Sequence, residues 1–151
     1  MLLTGEAFNL FVFIYISVIA SYALVSLGKN KNALFSAYQY LVLGTIGATF
    51  ILIGLGFLYV MTGTLNMHDL SERLPEVYSN NTVLTGLCFI LVGVSIKLAL
   101  FPFHTWLPKV YQYSPTVMTI FFSATTTKVF IYVIIRYLDY IFDSQLIINV
   151  F

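Results

Sequence analysis

Charge is what this chain has least of. Only 9% of its 151 residues are Asp, Glu, Lys or Arg, where a soluble domain carries about 25%. Hydrophobic residues make up 60%, and the mean hydropathy is +0.93. That balance excludes an ordinary soluble fold, and a net charge of +1 gives no reason to expect nucleic acid as a partner. With one cysteine, Cys88, neither a disulfide framework nor a cysteine metal cluster is available. Inside an apolar run, Cys88 reads as a small buried hydrophobe. The two histidines, His68 and His104, fall in different compartments and cannot ligate one haem. Phosphate-cradling loops, zinc-ligand spacings and a nucleophile–histidine–carboxylate arrangement are missing. No cofactor and no active site of its own is therefore expected. Met1–Leu10 lacks the positive region of a signal peptide, and no cleavage site follows.

What the chain has instead is long apolar runs. Phe8–Leu27 gives about twenty residues, enough to cross roughly 30 Å of hydrocarbon. Gly28 to Asn32 is a short polar turn. A second run, about Leu34–Met61, is long enough to span with some tilt. In it Gly44 and Ala48 form a small-xxx-small pair, with Gly47, Gly54 and Gly56 nearby. Such residues let helix backbones approach each other in lipid. Thr62–Asn81 is polar: Asp69, Glu72, Arg73 and Glu76 alternate with Leu65, Leu70, Leu74 and Val77. It reads as an interfacial loop with a short amphipathic turn or helix ended by Pro75 and Ser79-Asn80-Asn81, leaving His68 solvated.

The third run starts near Thr82 and carries Lys97 before a break at Pro102, with Pro108 beyond it and Trp106, Tyr111 and Tyr113 marking the membrane–water interface. Ser114-Pro115 opens a fourth run through Lys128 to about Phe142, with Arg136 and Asp139 able to pair near its end. Ser144–Phe151 is apolar but too short to cross. The expected fold is all-α: a polytopic bundle of four transmembrane helices, the third broken at a proline.

An ammonium deep in hydrocarbon costs roughly 2.5–3.5 kcal/mol, so an intramembrane lysine is a functional candidate by default. Lys97 stands about fourteen residues into its run, beside a helix break, a pattern expected of ion paths between packed helices. Lys128 is thirty-one residues further on and about 20 Å from either interface, too far to snorkel. A buried lysine whose partner moves or changes charge can be switched between loaded and empty, which makes the pair a candidate proton relay. His104, with an ordinary pKa of about 6.5, adds a titratable group beyond the break. Ser123, Thr125, Thr126 and Thr127 either hold water on the way to Lys128 or pack helices; both readings stand.

With four spans, Lys29, Lys31 and Lys109 fall on one side with no acid, a charge of +3. Glu6, Asp69, Glu72, Arg73, Glu76, Arg136, Asp139 and Asp143 fall on the other, two positive and six negative. The positive-inside rule puts the lysine side in the cytoplasm or matrix and both termini away from it.

Lys97–Pro108, followed by Ser114-Pro115 and Lys128, resembles the antiporter-like proton-translocating subunits of respiratory complex I and of Mrp-type sodium/proton antiporters. Thr4–Leu10, Ser21–Leu24, Tyr40–Gly44 and Thr62–Met67 support the resemblance, which covers nearly the whole chain and lies closest to the D-type antiporter subunits. It implies that Lys97 matches the lysine of the family's broken seventh helix. It further implies that Lys128 matches the lysine of the eighth and His104 the histidine after the break. The family is built from inverted repeats of five helices within about fourteen; residues 1–151 would supply roughly the fifth to eighth. One departure stands out. Where the family carries a glutamate partner for the first lysine, Phe11-Val12-Phe13-Ile14-Tyr15 places Tyr15. Glu6 is nine residues earlier, about 13.5 Å along a helix, too far to replace it. A phenol can hydrogen-bond an amine but supplies no carboxylate at neutral pH.

The expectation is a partial proton-conducting membrane domain working with other integral membrane subunits, in a bacterial plasma membrane or mitochondrial inner membrane. Any redox chemistry belongs to the rest of such a complex, as in an NADH:quinone oxidoreductase. A non-conducting structural or degenerate subunit is the alternative: Tyr15 favours it, and the two lysines favour conduction.

Overall fold

The computed structural model describes residues 4–28, 31–77 and 80–141, the side chains of 139–141 excepted. Lys29, Phe142, Asp143 and the tail Ser144–Phe151 lie outside the described residues. The elements are α1 (Ala7–Ser26), α2 (Lys31–Thr62), α3 (Met67–Val77), α4 (Asn81–Leu98), a 3₁₀ turn (Phe103–Thr105), α5 (Trp106–Tyr113), α6 (Thr116–Phe121), a π turn (Phe122–Thr126), α7 (Thr127–Ile135) and a second π turn (Arg136–Ile141). Among the described residues, four stretches are long and apolar enough to cross a membrane: Ala7–Ser26, Lys31–Thr62, Asn81–Tyr113 and Thr116–Leu138. The chain is an all-α integral membrane protein.

The spans pack through small residues because lipid offers no hydrophobic drive for helices to associate. α2 and α4 run antiparallel and touch backbone to backbone at two glycine pairs. A Cβ on Gly93 would stand 2.6 Å from the Gly47 carbonyl oxygen, and one on Gly54 would stand 2.6 Å from that of Gly86. The pairs are seven residues apart on both helices, so one straight seam runs along the contact. α1 closes on α2 with Leu10, Ile14, Val18, Ser21 and Val25, a face recurring every three to four residues. Cys88 corrects the expectation of burial: it is exposed, on the side of α4 away from the seam that Gly86, Ile90 and Gly93 form.

α3 is the amphipathic element expected of the polar stretch, with Met67, Leu70 and Leu74 buried. It runs through Pro75 to Val77, within the expected end at Pro75 and Ser79-Asn80-Asn81. Its start is stapled to α1: the Ala7 amide donates to the Leu65 carbonyl and the Met67 amide to the Gly5 carbonyl, both at 2.9 Å. Arg73 donates to the Thr62 carbonyl at 3.0 Å, capping the end of α2. His68 stands in solvent, 3.5 Å from Glu72. The expected Arg136–Asp139 pair falls on Asp139, whose side chain lies outside the described ones.

Overpacking a helix seam costs about 1–3 kcal/mol. Gly93→Ala, whose methyl meets the Gly47 carbonyl and the Ile51 amide, is expected to lower stability by about 2 kcal/mol. Gly56→Ala, where a Cβ meets nothing within 4 Å, should be neutral or stabilising. Thermal unfolding of the two variants in detergent, followed by circular dichroism, checks the contrast.

Candidate functional site

Lys97 occupies the last turn of α4 and is 4% exposed. The seam carries it there: one turn past Gly93, it is covered by α1 and α2. Its Nζ lies 3.4 Å from the position a Cβ would take on Gly44, and a Val18 methyl lies 2.9 Å from the same point. The amine thus sits where three helices meet. It has no hydrogen-bond partner among the described residues. No carboxylate is carried by α1, α2, α4 or α5.

Tyr15 does not take the role of that partner. Its ring is 38% exposed and stacks on Phe11, centroids 6.2 Å apart. A phenol here is expected to reach Lys97 by a direct or water-bridged hydrogen bond, and the direct one is not formed. Ile14 and Val18 hold the face of α1 that meets α2, and position 15 is turned from position 14 by about 100°.

The break after Lys97 begins earlier than the proline. α4 ends at Leu98, and Ala99 adopts the left-handed conformation, φ 53°. The Ala99 amide donates to Ile96 and the Leu100 amide to Ser95, the paired bonds that close a helix end. Trp106 then folds back and its indole N–H donates to the Ile96 carbonyl at 3.2 Å, a buried bond. Its ring packs on Tyr40 at 5.1 Å, and Tyr40 meets Phe122 edge-on at 5.6 Å. Trp106 is therefore not the interface marker that its position in the sequence suggests; buried at 4% exposure, it clips the break. His104 lies in the 3₁₀ turn, exposed, stacked on Phe101 at 5.8 Å.

Lys128 is not brought to Lys97. It points to the outer face of these four spans, and its ammonium donates to the Ser123 carbonyl in the first π turn. The nearby hydroxyls bond their own helix: Ser123 to Ile120 at 3.0 Å and Thr125 to Phe121 at 2.7 Å. Between α1 and this turn lies a mostly apolar cleft of about 160 Å³, lined by Ser17, Ser21, Thr125 and Thr126 with Phe121, Val129 and Phe130. Gly44 and Ala99 are the contributors that sequence reasoning missed. Gly44 gave a signal in its pairing with Ala48, while alanine carries no signal for a helix end.

A family model described as NADH:quinone oxidoreductase/Mrp antiporter, transmembrane, matches residues 5–151. NADH-quinone oxidoreductase subunit N of Desulforudis audaxviator is 44% identical over 141 residues, which cover 93% of this chain and 28% of that protein. The D-type Na⁺/H⁺ antiporter subunit of Bacillus subtilis is 38% identical over 140 residues, again 93% and 28%. Among solved structures, a chain of the membrane-bound sulfane sulfur reductase, an archaeal respiratory membrane complex, superposes with a TM-score of 0.88 at 38% identity, covering 93% of this chain and 28% of that one. The chain thus spans little more than a quarter of the length of the relatives it matches.

Ala99 holds a conformation that costs an L-residue about 1–2 kcal/mol. Ala99→Gly is therefore expected to stabilise the break by about 1 kcal/mol. Trp106 is the single tryptophan, so its fluorescence during thermal unfolding reads the change where it occurs; an unchanged or lowered midpoint would count against the strain.

Proposed function

The chain belongs to the NADH:quinone oxidoreductase/Mrp antiporter transmembrane family, and from that premise we propose that it carries protons across a membrane with Lys97 as the loading site. The observation behind this reading is an ammonium-bearing side chain 4% exposed, within a membrane span, without a hydrogen-bond partner among the described residues. Such a group is expensive to keep and is retained where it loads and unloads a proton. Lys128 is the onward site, facing whatever covers the outer side of the fourth span. His104, exposed beyond the break, is the exchange group on the lysine-rich side. Tyr15 stands where the resemblance expects a carboxylate, but it stacks on Phe11 and does not bond the amine.

The proposed setting is a bacterial plasma membrane or a mitochondrial inner membrane, with the side of Lys31 and Lys109 toward cytoplasm or matrix. The proposed partners are further integral membrane subunits of a complex I-like or Mrp-like assembly. Lys128 supports that reading. It satisfies one of three N–H groups on the Ser123 carbonyl and points away from its own bundle, so a neighbour must solvate the rest. A second reading, a structural subunit that conducts nothing, is favoured by the absence of any carboxylate on the helices around Lys97.

Proton uptake by membrane vesicles holding the assembled complex separates the two. Lys97→Ala is expected to cut transport by about a hundredfold, the scale of losing a proton-transfer group, at unchanged protein level. Tyr15→Glu is expected to leave transport unchanged, because the side chain at 15 is exposed on the flank of α1 and makes no bond to the amine. Full transport in Lys97→Ala would leave the structural reading standing alone.

A further inference from the structure

Three helices close on the Lys97 amine, and each brings something different to it. α4 carries the side chain. α1 brings Val18, a hydrocarbon. α2 brings Gly44, which presents no side chain at all. A Cβ built there would stand 3.4 Å from Nζ and 2.9 Å from the Val18 Cγ1. Any residue other than glycine at 44 would therefore set hydrocarbon against an amine that already has no hydrogen-bond partner among the described residues, and would displace Val18 as well.

Gly44 is not needed for the main seam. The backbone contacts between α2 and α4 are made at Gly47–Gly93 and Gly54–Gly86, whereas the atoms facing Gly44 are side-chain atoms of Val18 and Lys97. Its φ is helical, so conformational freedom does not explain it either. What distinguishes the position is the buried amine aimed at it. The titratable side chains of α1, α2 and α5 are all phenols or lysines, with no acid among them. No carboxylate on these helices holds the amine in place, so its location is set by shape.

We propose that Gly44 is a positioning residue for Lys97, a notch in α2 that seats the amine at the three-helix junction and keeps hydrocarbon off the side from which a proton reaches it. The proposal rests on the reading of Lys97 as the loading site, deepening it by naming what fixes that site when no carboxylate does. A methyl in this notch would touch the amine at 3.4 Å and push on Val18, closing with hydrocarbon the open side of a group whose proton transfer depends on access and orientation.

The test uses the assembled complex in membranes, with ¹⁵N-labelled lysine. The Lys97 Nζ resonance is assigned by its loss in Lys97→Met. Gly44→Ala is expected to move that resonance and to lower proton transport by about tenfold or more. Because the new methyl also crowds Val18, Gly44→Ala combined with Val18→Ala removes the packing clash while keeping the methyl beside the amine. The double variant is expected to regain the membrane abundance of the wild type but not its transport, with the resonance still moved. A resonance at its wild-type position in the double variant, or transport restored along with abundance, overturns the proposal and leaves Gly44 a packing residue. Failure of the underlying reading looks different: Lys97→Met then transports normally, whatever Gly44→Ala does to the resonance.

Discussion

Everything in this bundle hangs on how closely α2 can lie against α4. In lipid the apolar surfaces of two helices gain nothing by leaving their solvent, so contact has to come from packing and from weak Cα–H···O approaches that only small residues permit. Two glycine pairs supply it, Gly47 with Gly93 and Gly54 with Gly86. With four residues fixed along one line, α4 can neither roll nor slide on α2. Lys97, one turn past the last pair, is consequently driven beneath α1 rather than allowed to reach an interface.

A lysine trapped in this way normally finds a carboxylate, since removing one partner of a buried pair costs about 3–5 kcal/mol. Here the helices around it offer Val18, Gly44 and the backbone. Two features soften the penalty without supplying an acid. Lys97 lies in the final turn of α4, where unpaired carbonyls give the helix end a partial negative charge worth about 0.3–1 kcal/mol to a cation. Trp106 and the amides of Ala99 and Leu100 pair the Ile96 and Ser95 carbonyls and fix where the helix ends beside the lysine. The break beside the lysine is thus part of its electrostatic setting.

The spans and Lys97 are legible in the sequence because both are signals of kind: apolar length, and charge where charge is costly. Questions of direction are not. α1, α2 and α4 are apolar nearly all round, so periodicity does not say which face is buried, and Cys88 and Lys128 both face outward. Tyr15 falls where the resemblance expects the acid, yet its ring points past the amine, because one residue on a helix is a turn of about 100°. The end of α4 escapes for another reason. Pro102 is a plain stop signal, but the chain leaves the helix at Ala99, where only tertiary clips, above all the Trp106 indole, make the left-handed turn worthwhile. The glycines show that helices will approach; which glycine faces which needs the fold.

The staple between Glu6 and Asn66 bears on how this chain can change over time. It ties the start of α1 to the start of α3 by two backbone bonds, and α3 is pinned in turn to the last carbonyls of α2. The distance from that anchor to Val18 is therefore counted in residues, not in ångströms of adjustable loop. A single residue gained or lost between Ala7 and Val18 would swing the whole inner face by about 100° and shift it by about 1.5 Å, taking Val18 off the lysine. Substitution leaves the helix phase intact, whereas insertion and deletion do not. Outside its buried positions Ala7, Leu10, Ile14 and Val18 this stretch tolerates a change of side chain, but it is locked in length.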